Sequence, residues 1–305
     1  MPATIHDALI IGGGPAGLSA AIYLARFLRD TVVIDAGDGR SSGPQRTENY
    51  LGFPRGVRAV HLRDLGRRQA ERFGARIVAG RVSGATAQHG LYHLDGEGGP
   101  WRGRTVIIAT GVTDVWPAFA GVERYIGRSL FWCITCDGFR TLGRRVALVG
   151  ATDEAVSTAC QFLQYTDDVT FIAVPTGGEA GIGPDKRRQL LDQGIAVVDG
   201  AIERAVGARG QLRRVVVNGV PLEVDLLFSL LGQTPNTELA ARLGVLLDDA
   251  GYIRIDREQR TNVPCLYAAG DVTGPYAHQI STAVHEGAMA AQAANYDLYP
   301  AFQRE

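Results

Sequence analysis

Two of the chain's four cysteines, Cys133 and Cys136, stand with two residues between them in the run Cys133-Ile134-Thr135-Cys136-Asp137-Gly138, and a carboxylate follows the second directly. That spacing can close a small, reducible disulfide loop, so the pair reads first as a redox centre. Two plainer readings compete with it: a half-site for zinc, and two buried structural thiols. Zinc would need two more soft or imidazole ligands, and Cys160 and Cys265 are single, far apart and without ligand-like spacing. No metal is expected.

A redox pair needs an electron carrier, and the N-terminal segment has the pattern that holds one. Ala8-Leu9-Ile10-Ile11 is a continuous apolar run of the kind that forms a buried parallel strand. It leads into Gly12-Gly13-Gly14-Pro15-Ala16-Gly17 and then into a helical stretch from Leu18 to Ala25. Strand, glycine turn and helix are the context of the dinucleotide fingerprint. Gly12 makes the turn, Gly14 lets backbone approach a pyrophosphate, and Gly17 lets the helix pack on the strand. The helix N-terminus then faces the phosphates. A second strand, Thr31 to Ile34, ends at Asp35, about twenty positions beyond the first glycine, where a carboxylate binds ribose hydroxyls.

Later segments continue the pattern. Val60 to Phe73 has helical periodicity, and Thr105-Val106-Ile107-Ile108 is a buried strand ending in the small residues Ala109, Thr110 and Gly111, which would let a flat ligand come close. Val112 to Gly121 reads as a domain crossing. After the cysteine pair the opening pattern repeats as strand Val146 to Val149, turn Gly150-Ala151-Thr152-Asp153-Glu154-Ala155 and a helix through Leu163, which suggests a second dinucleotide-type domain inserted into the first. Its end is signalled near Gly232-Gln233-Thr234-Pro235-Asn236-Thr237. Leu266 to Ala269 forms a strand running into Gly270 and Asp271; the acid is either a helix cap or a contact to the ribityl chain or pyrophosphate of a flavin. Gln279 to Ala294 reads as a closing helix. The expected fold is α/β, with two Rossmann-like, three-layer ββα dinucleotide-binding domains: a FAD-binding domain at 1–113 and 246–305, and an inserted NAD(P)H-binding-like domain carrying the CxxC pair at 114–245.

Composition is consistent with this. The chain has 305 residues, enough for two domains with their own cores, and its 46% hydrophobic and 21% charged residues are ordinary for a globular protein. A net charge of -1 offers no broad electrostatic attraction for nucleic acid or an anionic membrane. No apolar window reaches the roughly eighteen residues of a membrane span, and no signal peptide is expected from the N-terminus. Four cysteines do not make a scaffold at this length, which fits a reducing cytoplasm.

The motifs GGGPAG (Gly12 to Gly17), TENY (Thr47 to Tyr50), QAERFG (Gln69 to Gly74), ATG (Ala109 to Gly111), CITCDGF (Cys133 to Phe139), GQTPNT (Gly232 to Thr237) and AAGDV (Ala268 to Val272) occur in one order along nearly the whole chain. In these the chain resembles the low-molecular-weight thioredoxin reductases. The resemblance implies a homodimeric FAD enzyme whose cysteine pair exchanges two electrons with the isoalloxazine. It makes Cys136 the flavin-proximal sulfur, Cys133 the sulfur that meets the partner disulfide, and Asp137 the acid and base for the departing thiolate. It also adds Asn49, Gln279 and Ile280 to the flavin contacts; His278 stands where the family has an arginine, and reads either as a residue beside the flavin that tunes it or handles protons, or as a hydrogen-bonded interface residue. Only a thiolate is nucleophilic, exchange passes through a mixed disulfide, and a nearby carboxyl can return a proton to the leaving sulfur, so the chemistry agrees with those roles.

The nicotinamide half departs from the family. Its second turn has Thr152 where the family has a central glycine, and a β-branched side chain there obstructs the backbone approach that glycine permits. Glu154 adds negative charge beside the expected phosphate site. The arginines that grip a 2'-phosphate are missing after Val169 to Val174, where Pro175-Thr176-Gly177-Gly178 follows; Lys186, Arg187 and Arg188 are either a displaced clamp or an exposed helical face. NADPH is therefore not expected to be the efficient reductant. The alternatives are a ferredoxin-type protein donor or a second FAD in the nucleotide cleft. The partner on the dithiol side is a thioredoxin-like protein or another dithiol substrate. An ordinary NADPH-dependent thioredoxin reductase, a dithiol oxidase passing electrons to oxygen, and a non-catalytic flavin redox sensor are the competing readings.

Overall fold

The computed structural model describes residues 4–175, 182–275 and 278–304. Among these residues the α-helices are α1 (Pro15–Arg26), α2 (Ala59–Arg72), α3 (Ile134–Asp137), α4 (Asp153–Gln161), α5 (Pro184–Asp192), α6 (Glu238–Arg242) and α7 (Ile280–Leu298). The chain separates into two compact units, one of residues 1–43, 57–113 and 234–305, the other of 44–56 and 114–233.

The first unit is built on a mixed sheet. Ile5–Ile11 lies between the parallel strands Thr31–Asp35 and Trp101–Ile108, and Arg76–Ala79 extends the sheet beyond Thr31–Asp35. The central apolar runs are buried on both faces, as a strand covered by helices on one side and further structure on the other requires. Trp101–Ile108 serves two neighbours on its other edge: its first residues pair antiparallel with Leu91–Gly96, and Val106, Ile107 and Ile108 pair parallel with Leu266–Ala268. On one face Ile10, Val33 and Ile107 meet the alanine-rich sides of α1 and α7. Small residues let those two helices approach closely: a Cβ on Gly287 would lie 2.1 Å from the Ala16 carbonyl oxygen, and Ser19 Oγ donates to Val284 O at 2.7 Å.

The second unit has an all-parallel sheet in the order Leu130–Phe131, Leu226–Leu230, Val146–Gly150, Val169–Ala173, Ala196–Asp199. Phe131, Phe162, Phe171 and Phe228 fill one face, while Ile172, Val215 and Val217 belong to the core on the other, where an antiparallel meander of Ile202–Ala208, Gln211–Val217 and Val220–Glu223 packs. The expected α/β class with dinucleotide-type domains is the fold observed.

The division of the chain differs from the expected 114–245 insertion at two places. Residues 234–245 return to the first unit because Ala240 and Val245 are buried among Leu9, Ile11 and Val106. Residues 44–56 join the second unit, where Arg46 O and Glu48 accept hydrogen bonds from Arg140 and Gln45 lies against Gly127. Two expected strands also stop early: Trp101–Ile108 ends before Ala109, and Leu266–Ala268 ends before Gly270. In both cases the chain leaves the sheet at small residues and turns, Gly111 and Gly270 taking φ of 64° and 83°.

Candidate functional site

In the first unit the glycine turn leaves the sheet at Gly12, whose φ of 110° requires a residue without Cβ. A Cβ there would stand 2.3 Å from Ala109 O, and one on Gly17 would stand 2.0 Å from Gly12 O, so these two glycines serve close packing within the protein. Gly14 differs: a Cβ there would meet nothing within 4 Å. Its backbone instead opens α1, with Pro15 in the first turn, no side-chain cap and no acid. The first N–H groups of α1 are thus left for a ligand. Asp35 ends the neighbouring strand beside them. Its Oδ1 accepts from Gly13 N at 3.3 Å and Gly37 N at 3.1 Å, while its buried Oδ2 has no hydrogen-bond partner among the described residues. Arg67 Nη1 stands 3.8 Å from that oxygen.

Around this turn the unit gathers most of the expected cofactor residues. Ala109, Thr110 and Gly111 are held by Asn236, which sequence reasoning did not single out. Its main-chain carbonyl accepts from Thr110 Oγ1 at 2.7 Å, its Nδ2 donates to Thr110 O at 2.9 Å, and its N–H donates to Gly111 O at 3.0 Å. Gly270 sits over Ala16, with a hypothetical Cβ 2.9 Å from the alanine's, and its N–H donates to Glu286 Oε2 at 2.6 Å. Burial holds the Glu286 carboxyl above the usual carboxylate range, against the pull of the Gly270 N–H. Asp271 is ion-paired with Arg40 at 2.8 Å, a second partner the sequence pattern did not reveal. His278 bonds Gly274 O through Nε2 at 2.7 Å and stands 6.0 Å from the Tyr252 ring, Gln279 caps α7, and Ile280 begins it. Asn49 belongs to the 44–56 segment of the second unit. An open backbone cradle at a helix N-terminus, with an unsatisfied buried carboxylate oxygen beside it, fits the pyrophosphate and ribose of a dinucleotide such as FAD.

In the second unit Cys133 and Cys136 form a disulfide, with Cα atoms 5.3 Å apart. Cys133 is the N-cap of the single-turn α3, its Sγ accepting from Cys136 N at 3.0 Å. The turn brings Asp137 into the interior, 8% exposed. Arg140, also missed from sequence, reaches back one turn: its Nε donates to Asp137 Oδ1 at 2.7 Å and its Nη2 to Glu48 Oε1 at 3.1 Å. Burial raises the Asp137 carboxyl above its ordinary range; the hydrogen bond and charge of Arg140 oppose this, and Glu48 adds to it. The arrangement can cycle a disulfide next to a carboxyl that takes up and releases a proton. Among the described residues no group of three His, Cys, Asp or Glu side chains is placed to hold a metal.

The second dinucleotide-type turn is capped by its own side chain. Thr152 is the N-cap of α4 and its Oγ1 accepts from Ala155 N at 3.2 Å. The Glu154 carboxylate is held below its ordinary range by its own backbone N–H, by the Thr152 hydroxyl and by the charge of Lys186. Of the basic run on α5, Arg187 is ion-paired with Asp199 and Lys186 Nζ bonds Gln189 at 3.5 Å, while Arg188 is exposed. The run is therefore a helical surface, with Arg187 spent within the fold. Thr176, Gly177 and Gly178, where the 2'-phosphate arginines were sought, lie outside the described residues. No described helix is long and apolar enough to cross a membrane.

Comparison with known proteins agrees with this geometry. Residues 6–291 match the family model described as pyridine nucleotide-disulphide oxidoreductase. The chain is 31% identical over 297 residues to the thioredoxin reductase of Listeria monocytogenes, covering 94% of this chain and 92% of that protein. Among solved structures it resembles the thioredoxin reductase of Streptococcus pyogenes, with a TM-score of 0.89 and 26% identity over 96% of this chain and 98% of that one. It also resembles the atypical thioredoxin reductase of Desulfovibrio vulgaris Hildenborough, with 36% identity, a TM-score of 0.54 and coverage of 96% and 97%.

Proposed function

The chain belongs to the pyridine nucleotide-disulphide oxidoreductase family, and we propose that within it the protein is a thioredoxin-reductase-like FAD enzyme that moves two electrons between flavin and the Cys133–Cys136 disulfide without efficient use of NADPH. The observation that carries this reading is the disulfide formed at the start of α3, directly before a buried carboxyl. Its partner is a thioredoxin-like protein or another small dithiol. A homodimer in a thiol-reducing cytoplasm is part of the same proposal.

FAD, when bound, supplies the two-electron couple. The residues that would hold it are Gly12, Gly14, Pro15, Ala16, Gly17, Asp35, the Ala109 to Gly111 run, Gly270, Asp271 and the His278 to Ile280 run. With the dithiol reduced, the Cys133 thiolate attacks one sulfur of the partner disulfide. A mixed disulfide forms and the partner's other sulfur leaves as a thiolate, which takes a proton from Asp137. The Cys136 thiolate then attacks Cys133 Sγ, the intramolecular disulfide re-forms, and the partner departs reduced by two electrons.

The limit on NADPH rests on Thr152 and Glu154. The N-terminus of α4 already has a hydroxyl cap and a carboxylate where a pyrophosphate would bind, so a dinucleotide would have to displace one and approach the other. The donor is then a one-electron protein of the ferredoxin kind, or a second FAD in that cleft. Anaerobic titration of the holoprotein with NADPH and NADH, followed by flavin absorbance, tests this. We expect slow or no bleaching at micromolar nucleotide. Prompt bleaching by NADPH would restore the ordinary NADPH-dependent thioredoxin reductase, the reading favoured by the names of the sequence relatives. Counting flavins per chain after denaturation separates a protein donor from a diflavin enzyme.

A further inference from the structure

We infer that Arg140 is the positioning residue of the redox centre: it orients the Asp137 carboxyl next to Cys136 and divides its guanidinium between that carboxyl and Glu48. The inference rests on the thiol–disulfide reading above. It concerns a residue four positions beyond Cys136 that plays no part in electron transfer itself.

The guanidinium is held from all sides. Nε donates to Asp137 Oδ1 at 2.7 Å, Nη2 donates to Glu48 Oε1 at 3.1 Å and to Arg46 O at 3.4 Å, and the group lies 4.9 Å from the Phe139 ring centroid and 5.7 Å from that of Phe131. A planar fork with a carboxylate on each of two donors and aromatic rings nearby has one orientation, which a lysine could not reproduce. Asp137 sits in the interior while Glu48 is on the surface, with side chains 11% and 33% exposed. The charged groups facing Asp137 are thus Arg140, from the turn after α3, and Glu48, from the 44–56 segment. On its own helix the neighbours are Cys133 and Cys136. Arg46 presents its carbonyl to Arg140, and its guanidinium is used on Gly56 O at 3.0 Å.

The physical consequence has a sign. Burial favours the neutral carboxyl of Asp137, and the Arg140 hydrogen bond and charge favour the carboxylate. Glu48 weakens the effect of Arg140 by sharing it. Removing Arg140 leaves burial unopposed, so Asp137 keeps its proton to higher pH. Removing the charge of Glu48 gives Arg140 wholly to Asp137, which then loses its proton at lower pH. The two substitutions act on one carboxyl in opposite directions, which loss of folding or of packing would not do.

The test uses holoenzyme with FAD, reduced anaerobically with stoichiometric dithionite and mixed with oxidised lipoamide, whose leaving group is an aliphatic thiolate that needs a proton. The rate of dithiol formation is followed against pH. The alkaline limb, where the acid has lost its proton, should move to higher pH in Arg140→Met and to lower pH in Glu48→Gln, with Arg140→Lys between wild type and Arg140→Met. Limbs that stay in place, or that move in the same direction in both variants, overturn the inference. Should Arg140→Met fold poorly, Glu48→Gln and Arg140→Lys still decide the matter, since opposite limb shifts are required of them. A wild-type protein that leaves lipoamide oxidised defeats the functional reading and the inference with it, whereas an active wild type with unmoved limbs in the variants defeats the inference alone.

Discussion

The Thr152 hydroxyl accepts the Ala155 N–H at 3.2 Å, closing the N-terminus of α4 with the protein's own side chain. The equivalent turn in the first unit, at Gly14, has no side-chain cap and no Cβ. One sequence pattern thus has two different outcomes: a helix N-terminus without a side-chain cap in the first unit, and a capped one in the second. Replacing Thr152 with Ala should destabilise the protein by about 1 kcal/mol, and with Gly by only a few tenths, as measured by chemical denaturation of the apoprotein. Thr152→Gly combined with Glu154→Gln should speed flavin bleaching by NADPH in stopped flow. A double variant no faster than wild type would mean that this turn is not what limits the nucleotide.

Gly14 and Gly17 separate ligand space from packing space. A Cβ on Gly17 would lie 2.0 Å from Gly12 O, so Gly17→Ala must push α1 off the strand, and overpacking of this kind costs about 1–3 kcal/mol. A Cβ on Gly14 meets no protein atom within 4 Å. Gly14→Ala should therefore leave the melting temperature of the apoprotein nearly unchanged while the flavin content of the purified protein falls. Equal flavin retention in Gly14→Ala and wild type would place the pyrophosphate elsewhere.

The redox pair yields a thiol count. The sequence contains four cysteines and the structure leaves two free, Cys160 and Cys265, so oxidised protein denatured without reductant should titrate two thiols and reduced protein four. Cys133→Ser and Cys136→Ser should each abolish reduction of a thioredoxin-like or small disulfide substrate and leave bound flavin in place. Four thiols in the air-oxidised protein would show that the pair does not form a disulfide under those conditions.

The parts of this site that could be read from sequence are those in which one residue type has one physical purpose. Continuous apolar runs such as Ala8 to Ile11 mark buried parallel strands, Gly12 marks a turn at positive φ, and Cys133 and Cys136 mark a disulfide through their spacing. Arg140, Asn236 and Arg40 could not be found this way, because each is defined by a partner distant in sequence: Glu48, Thr110 and Asp271. The boundary at 233/234 was hidden for the same reason. Whether α6 belongs to the insertion depends on where Ala240 is buried, and an alanine carries no signal of its destination.

Asp137 carries a conflict between stability and chemistry. Burial holds its carboxyl above the ordinary range despite Arg140, so the folded protein binds this proton more tightly than the unfolded chain does. Such a group contributes stability that is fully present below the unfolded carboxyl pKa and is lost as pH rises through the folded value. As pH rises from the unfolded carboxyl pKa toward the folded value, the protein therefore loses the stability that this buried proton supplies. Asp137→Asn removes that loss and leaves Arg140 its bond to Glu48. The variant should melt higher than wild type at neutral pH, with the difference shrinking as pH falls through the carboxylate range, while its rate of disulfide reduction drops by roughly the 100-fold or more that loss of a general acid entails. The decisive measurement is the pair of melting curves against pH. A variant that melts lower than wild type at neutral pH would mean that the Arg140 ion pair outweighs burial, and that the acid is held ionised throughout the working range.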